Sequence, residues 1–180
     1  ADISGYTRFM TANAKVLAHA QLIITDLLET ILADFAFPVE VSKLEGDAVF
    51  MYCKIDSDEW TKPEARAQLS KQLPSSYTTF LNRVTEMDQR RVCVCDACSN
   101  MDRLRLKTVV HAGTALFHQV GRFRELAGVD VIVVHRLLKN SIDADEYVLA
   151  TDTAFDELRL PEDIPWSRGS EDYAELGTVS

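Results

Sequence analysis

Basic residues are scarce in this chain. Its 180 residues hold 19 Lys and Arg against 28 Asp and Glu, a formal net charge of −9. Non-specific nucleic-acid binding draws on a basic footprint, so that function class is set aside. A polyphosphate ligand is not, because a local metal ion outweighs a distant global charge. Long apolar runs are missing too: none approaches the roughly 20 residues that span a bilayer. Neither a signal-peptide pattern nor an initiator Met opens the chain. Ala1 falls on what reads as a strand end, so we expect further residues upstream. Internal repeats, low-complexity tracts and linkers are absent. Residues 1–180 therefore read as one domain, and a 47% hydrophobic content suffices for a core. A disulfide framework is lacking as well. Of Cys53, Cys93, Cys95 and Cys98, the last three crowd one short segment. A reduced, cytoplasmic setting is expected.

What is present is an alternation of strand and helix patterns. A strand end at the N-terminus runs into a turn at Ser4-Gly5. Leu17, Ala20, Ile24, Leu27, Leu28, Ile31 and Phe35 then recur at helical spacing, the mark of a core-facing stripe. Phe37-Pro38 stops that helix. Val39, Val41 and Lys43 alternate with polar residues into Gly46-Asp47, and an apolar run follows to Cys53, which reads as a β-hairpin. The polar run Asp56–Glu59 precedes a helix opened by Pro63. Pro74 predicts a kink or two helices, the second running to about Asp88. A cysteine-rich loop (91–101) leads to a strand ending near Gly113. Residues 115–123 are expected as that strand's hairpin partner. A helix from Gly128, a strand at Tyr147–Leu149, a helix over 151–158 capped by Thr151, and one last weak strand over 173–179 complete the reading.

The order strand, helix, strand, strand, helix, strand is the split βαβ, ferredoxin-like arrangement of an α+β fold, with additional strands and helices. It places the third strand between the first and second. The exit of strand one, with Asp2, and the turn after strand two, with Asp47, then share one end of the sheet. Two carboxylates about 4 Å apart repel by roughly 4 kcal/mol at an effective dielectric near 20. A hard divalent cation is the usual compensation. The Ser4-Gly5-Tyr6-Thr7 turn leads into a helix, and its amides suit phosphate oxygens. Together these point to two-metal phosphoryl chemistry. The ordinary alternative is a helix cap at Asp2 and a plain turn residue at Asp47.

The stretches Ala1-Asp2-Ile3-Ser4-Gly5-Tyr6-Thr7, Lys43-Leu44-Glu45-Gly46-Asp47-Ala48, His111-Ala112-Gly113, Gly128–Arg136 and Glu175-Leu176-Gly177 resemble, in order and spacing, the motifs of class III adenylate and guanylate cyclases. The resemblance implies Asp2 and Asp47 as ligands to Mg²⁺ or Mn²⁺, with the Ile3 carbonyl as a backbone ligand. It implies Lys43 as a purine reader and Arg136 as the transition-state arginine. The metal pair and the Lys/Arg pair would come from opposite subunits of a homodimer. Glu125 falls at or near the second purine-reading position, with Asp130 close by. Lys43 with Glu125 leans toward ATP. One departure stands out. Ile132 occupies the position of the family's ribose-orienting Asn, and Asn140, about one turn beyond Arg136, is a candidate substitute.

Cys93-x-Cys95-x-x-Cys98 offers three thiolates for zinc, which takes four ligands. Asp96, a water or a neighbouring chain are the candidates for the fourth. Cys53, at the far end of its strand, is a poor one. Structural metal, redox sensing and no special role all stay open for this loop. His111 reads as a packed strand residue, and His135 as packed or solvated beside Arg136. Two functions therefore compete. One is a lyase that cyclises ATP at a homodimer interface. The other is a catalytically silent nucleotide-binding, dimerisation or sensor module of the same fold.

Overall fold

The computed structural model describes residues 1–54, 63–158 and 164–180. The polar run at 56–59 lies outside the described residues. The chain has a mixed α+β fold. Strand β1 (Asp2–Ser4) leads into helix α1 (Tyr6–Ala12), a 3-10 turn (Ala14–Val16) and helix α2 (Leu17–Asp34). The break between the helices is set by Asn13, whose buried amide donates to the Phe9 carbonyl at 2.8 Å. In α2 the apolar stripe became core: Ala20, Ile23, Ile24, Leu27, Leu28 and Ile31 are buried, and Phe35 follows them. Leu17 was expected in that stripe and is instead exposed, one residue after the 3-10 turn. By length and composition alone, residues 14–34 also suit a membrane span. Their buried stripe and the Arg83–Asp26 ion pair mark a core helix.

Strands β2 (Glu40–Glu45) and β3 (Ala48–Tyr52) form the expected hairpin around Gly46-Asp47, with Gly46 at φ 68°. The ladder runs Glu40 to Tyr52 and Val41 to Met51, then resumes at Lys43 to Phe50, so Ser42 is an extra residue. Helix α3 (Pro63–Arg90) is continuous through Pro74, so of the two expected outcomes, a kink or two helices, the second does not occur. Leu69 and Leu73 before Pro74, and Phe80 and Val84 after it, are all buried in one core. That packing holds the helix together across the lost backbone donor. Ser75 and Ser76 donate locally to the Gln72 and Leu73 carbonyls.

The cysteine segment is not all loop. It winds into helix α4 (Asp96–Asn100) and a 3-10 turn (Met101–Arg103) before strand β4 (Arg105–Val110). Strands β5 (Leu116–Val120) and β6 (Phe123–Ala127) pair with each other in a separate two-stranded sheet. The expected β4–β5 hairpin is therefore wrong, and two local features explain it. The Thr114 N–H donates to Asp130 at 2.6 Å, turning the chain off the sheet. Gly121, at φ 60°, closes a two-residue turn between Val120 and Phe123. Helix α5 (Val129–Leu137) precedes β7 (Tyr147–Ala150), which takes the place beside β4, in parallel. Helix α6 (Asp152–Glu157) is capped by the Thr151 hydroxyl, which accepts from the Ala154 N–H. The tail is a hairpin, β8 (Glu171–Tyr173) with β9 (Gly177–Val179), where one strand was expected.

The main sheet has the order β2-β3-β1-β4-β7. Strand β3 is antiparallel to both β2 and β1, and β1 is antiparallel to β4. Asp2 sits opposite Ala48 on one side and Lys107 on the other.

Candidate functional site: an acid pair and a thiolate cluster

The register of β1 against β3 carries Asp2 to the hairpin turn that holds Asp47. The Ile3 N–H donates to the Asp47 carbonyl at 3.2 Å and pins the turn to the strand. Burial first, and the charge of Asp2 second, push the Asp47 carboxyl up to about 6. A side-chain hydrogen bond between the two acids works in the same direction. The structure thus brings together the two carboxylates that sequence order separates.

It also supplies a cation that the sequence reading did not name. The Lys107 ammonium lies 2.8 Å from Asp2, and both side chains are largely buried. Burial works against the charge of Lys107, but the Asp2 carboxylate holds the ammonium above its ordinary value. An internal lysine therefore offsets part of the repulsion for which a metal was invoked. A cleft of about 640 Å³ opens here, lined by the Ser4–Thr7 turn, the two acids, Arg8, Lys107 and Lys139. Gly5, at φ 86°, forms the turn into α1.

The other expected site residues divide into two groups. Lys43 and Glu125 meet at 3.2 Å, and Glu45 takes the same ammonium at 2.8 Å. The Glu45 hydrogen bond first, against the opposing effect of burial and with help from Glu125, holds Lys43 above its ordinary value. Asp130 is elsewhere, accepting from Thr114 and His111, and is held low first by the Thr114 N–H. His111 follows β4 and bridges Asp130 to Thr151. His135 stacks on Phe50 and faces Glu45 at 3.4 Å. Arg136 is half exposed, with the Glu175 carboxylate 3.9 Å away. Ile132 is 51% exposed on α5. Asn140 sits just beyond the end of α5. Its amide donates to the Leu137 carbonyl and to Tyr147, and its oxygen accepts from the Ile142 N–H. These bonds tie the end of α5 to the following loop and to β7.

Asp47 gives a pH-dependent prediction. The native state keeps this proton longer than the unfolded chain, so stability falls as pH rises between 3.8 and about 6. At 1.36 kcal/mol per pH unit the displacement caps the effect near ~3 kcal/mol. Screening of a half-exposed carboxyl reduces it to about 1 kcal/mol. Asp47→Asn should therefore raise the unfolding free energy by about 1 kcal/mol at pH 7. The gain should vanish below pH 3.8, where both proteins are uncharged at this position. Urea titrations at several pH values check this, and a gain that does not vary with pH contradicts it.

The second cluster lies on the loop that enters β4. Its 3-10 turn packs near the β1 exit, where the Arg103 carbonyl lies 3.7 Å from a Cβ built on Gly5. The His19 Nδ1, in the first turn of α2, lies 3.3 Å from Cys95 Sγ, 3.4 Å from Cys93 Sγ and 3.9 Å from Cys98 Sγ. All four donor atoms fall within 4.8 Å of one another, a spacing suited to one metal ion. The Cys98 backbone N–H, and next His19, pull the Cys95 thiol down to about 6. Burial and the neighbouring thiols push Cys98 up to about 12. Cys53 stays apart at the other end of β3, its thiol raised to about 11 by burial. Sequence reasoning found the three cysteines and missed His19. The only signal for it was that three thiolates leave a tetrahedral site one ligand short.

Residues 24–147 match the profile of a family described as "Protein of unknown function (DUF2652)". The chain belongs to that family. It is also similar to "Uncharacterized protein Rv2561/Rv2562" of Mycobacterium tuberculosis, with 34% identity over 129 residues. That match covers 72% of this chain and 57% of the relative's length.

Proposed function

We propose that this family member is a nucleotide-cyclase-like module that binds a nucleoside triphosphate, ATP before GTP, without cyclising it, and pairs with a second copy. The observation that carries the reading is the Lys107 ammonium 2.8 Å from Asp2, which already supplies positive charge to the acid pair. A cleft with two carboxylates and an unopposed face holds metal well, whereas one already carrying its own cation holds it poorly. The basic groups of the same cleft, Arg8 and Lys139, favour a polyphosphate anion. Exposed Ile132 offers the ribose no hydrogen bond.

The order β2-β3-β1-β4, with antiparallel neighbours and a helical crossover on each side of the β2–β3 hairpin, supports the ferredoxin-like split βαβ reading. Exposed Leu116, Val120 and Phe123 on the β5–β6 hairpin, with Val129 and Ile132 on α5, support a second copy as the pairing partner. The cytoplasmic setting is part of the same reading and rests on the free thiols.

An active cyclase is the second reading, favoured by Lys43 standing beside Glu125 and by the closeness of Asp2 and Asp47. One experiment separates the two. The protein is incubated with ATP or GTP and Mn²⁺, and the products are read by mass spectrometry. The expected result is nucleotide bound, with no cyclic product above the protein-free control. Cyclic nucleotide that disappears with Asp47→Asn overturns the silent reading in favour of the lyase.

A further inference from the structure

We propose that His19, Cys93, Cys95 and Cys98 form a closed, four-coordinate zinc site that clasps the start of α2 to the segment entering β4. The geometry points to a tetrahedral ion. With Zn–S near 2.3 Å and Zn–N near 2.0–2.1 Å, tetrahedral ligation separates nitrogen from sulfur by about 3.5–3.6 Å. The three Nδ1–Sγ distances here are 3.3, 3.4 and 3.9 Å, which bracket that value. All four donors already converge, so binding needs only small side-chain adjustment. Three sulfurs and one imidazole are soft to borderline ligands, which select zinc over magnesium or manganese. Four protein ligands leave no open position for substrate, the mark of a structural site.

The location gives the site a role. Residues 5–19 comprise the turn at Gly5, helix α1 and the first turn of α2. Strand β1 holds one end of this segment, and the ion would hold the other through His19. The segment carries Tyr6, Thr7 and Arg8, which line the cleft beside the acid pair. Zinc would therefore stiffen one wall of the cleft without touching its ligand. The ion would also link positions 74 residues apart in the chain, as His19 and Cys93 are, and so act as a long-loop cross-link.

The test is independent of the nucleotide reading, since it uses metal content and spectra only. Protein purified without chelator is analysed for metals, then exchanged into Co²⁺. The expected result is close to one zinc per chain, with thiolate-to-cobalt charge-transfer absorption and the intense visible bands of a tetrahedral ion. His19→Ala should weaken zinc binding by on the order of 100-fold or more, since loss of a mere supporting group costs about 10–100-fold. His19→Cys should keep one zinc and shift the cobalt bands, which shows that position 19 supplies a ligand even if the alanine variant folds poorly. Less than about a tenth of an equivalent of zinc before and after zinc addition, without cobalt bands, overturns the proposal. So does a disulfide between two of the three cysteines in protein kept under reducing conditions. Cobalt bands unaffected by either substitution at His19 would place the fourth ligand elsewhere and overturn it equally.

Discussion

Lys107→Met should raise Mn²⁺ affinity at the acid pair by about 10–100-fold. A unit charge roughly 4 Å from a doubly charged ion opposes it by about 8 kcal/mol at an effective dielectric of 20. Salt and partial solvent access reduce that to about 1.4–2.8 kcal/mol, the stated range of affinity. Methionine keeps much of the stem's volume while removing the ammonium that now meets Asp2 at 2.8 Å. The metal-free variant should be less stable than the parent, because Asp2 loses its partner and the repulsion from Asp47 is unrelieved. Added Mn²⁺ should restore the difference. Calorimetric titration and thermal melts across a Mn²⁺ series check both halves. An affinity equal to or below the parent's would mean that Lys107 does not compete with metal, and the silent reading would lose its main support.

Phe80→Ala should destabilise the protein by about 3–5 kcal/mol. In a chain of this size that lowers the thermal midpoint by roughly 6–20 °C. Phe80 is 0% exposed and sits in the cluster that joins α2, α3 and the main sheet. Its removal leaves a cavity bordered by helix α3, which is already short of a backbone donor at Pro74. Guanidinium titration should show a lower midpoint at an unchanged slope. A loss under about 1 kcal/mol would mean that the helix pair closes over the gap.

Periodicity made the α2 stripe legible, and the Gly46-Asp47 punctuation made the first hairpin legible, because both signals are local. The meeting of Asp2 and Asp47 was also within reach, since it follows from strand order alone. The β5–β6 hairpin was not, because its partner choice depends on Asp130 catching the Thr114 N–H from 16 positions away. Pro74 left a choice that sequence alone does not make, a kink or two helices, and core packing on both sides decides for one continuous helix. Lys107 reads in sequence as one polar residue in an alternating strand. Its importance appears only when the β1–β4 register sets it opposite Asp2. His19 is the hardest case. No spacing rule links a histidine in a helix to cysteines more than seventy positions later.

The extra residue at Ser42 decides which insertions and deletions strand β2 will bear. Lys43, Glu45 and their neighbours are in register with β3 on the turn side of it, and Glu40 and Val41 on the other. Losing Ser42 would join two halves that already match their partners, so every pairing would survive with only local twist removed. Losing Leu44 instead would bring Lys43 opposite Val49 and swing its ammonium away from Glu125 toward the α2 side. Among natural length variants, loss of a residue at position 42 is thus compatible with the Lys43–Glu125 contact. One residue lost between there and the turn is not.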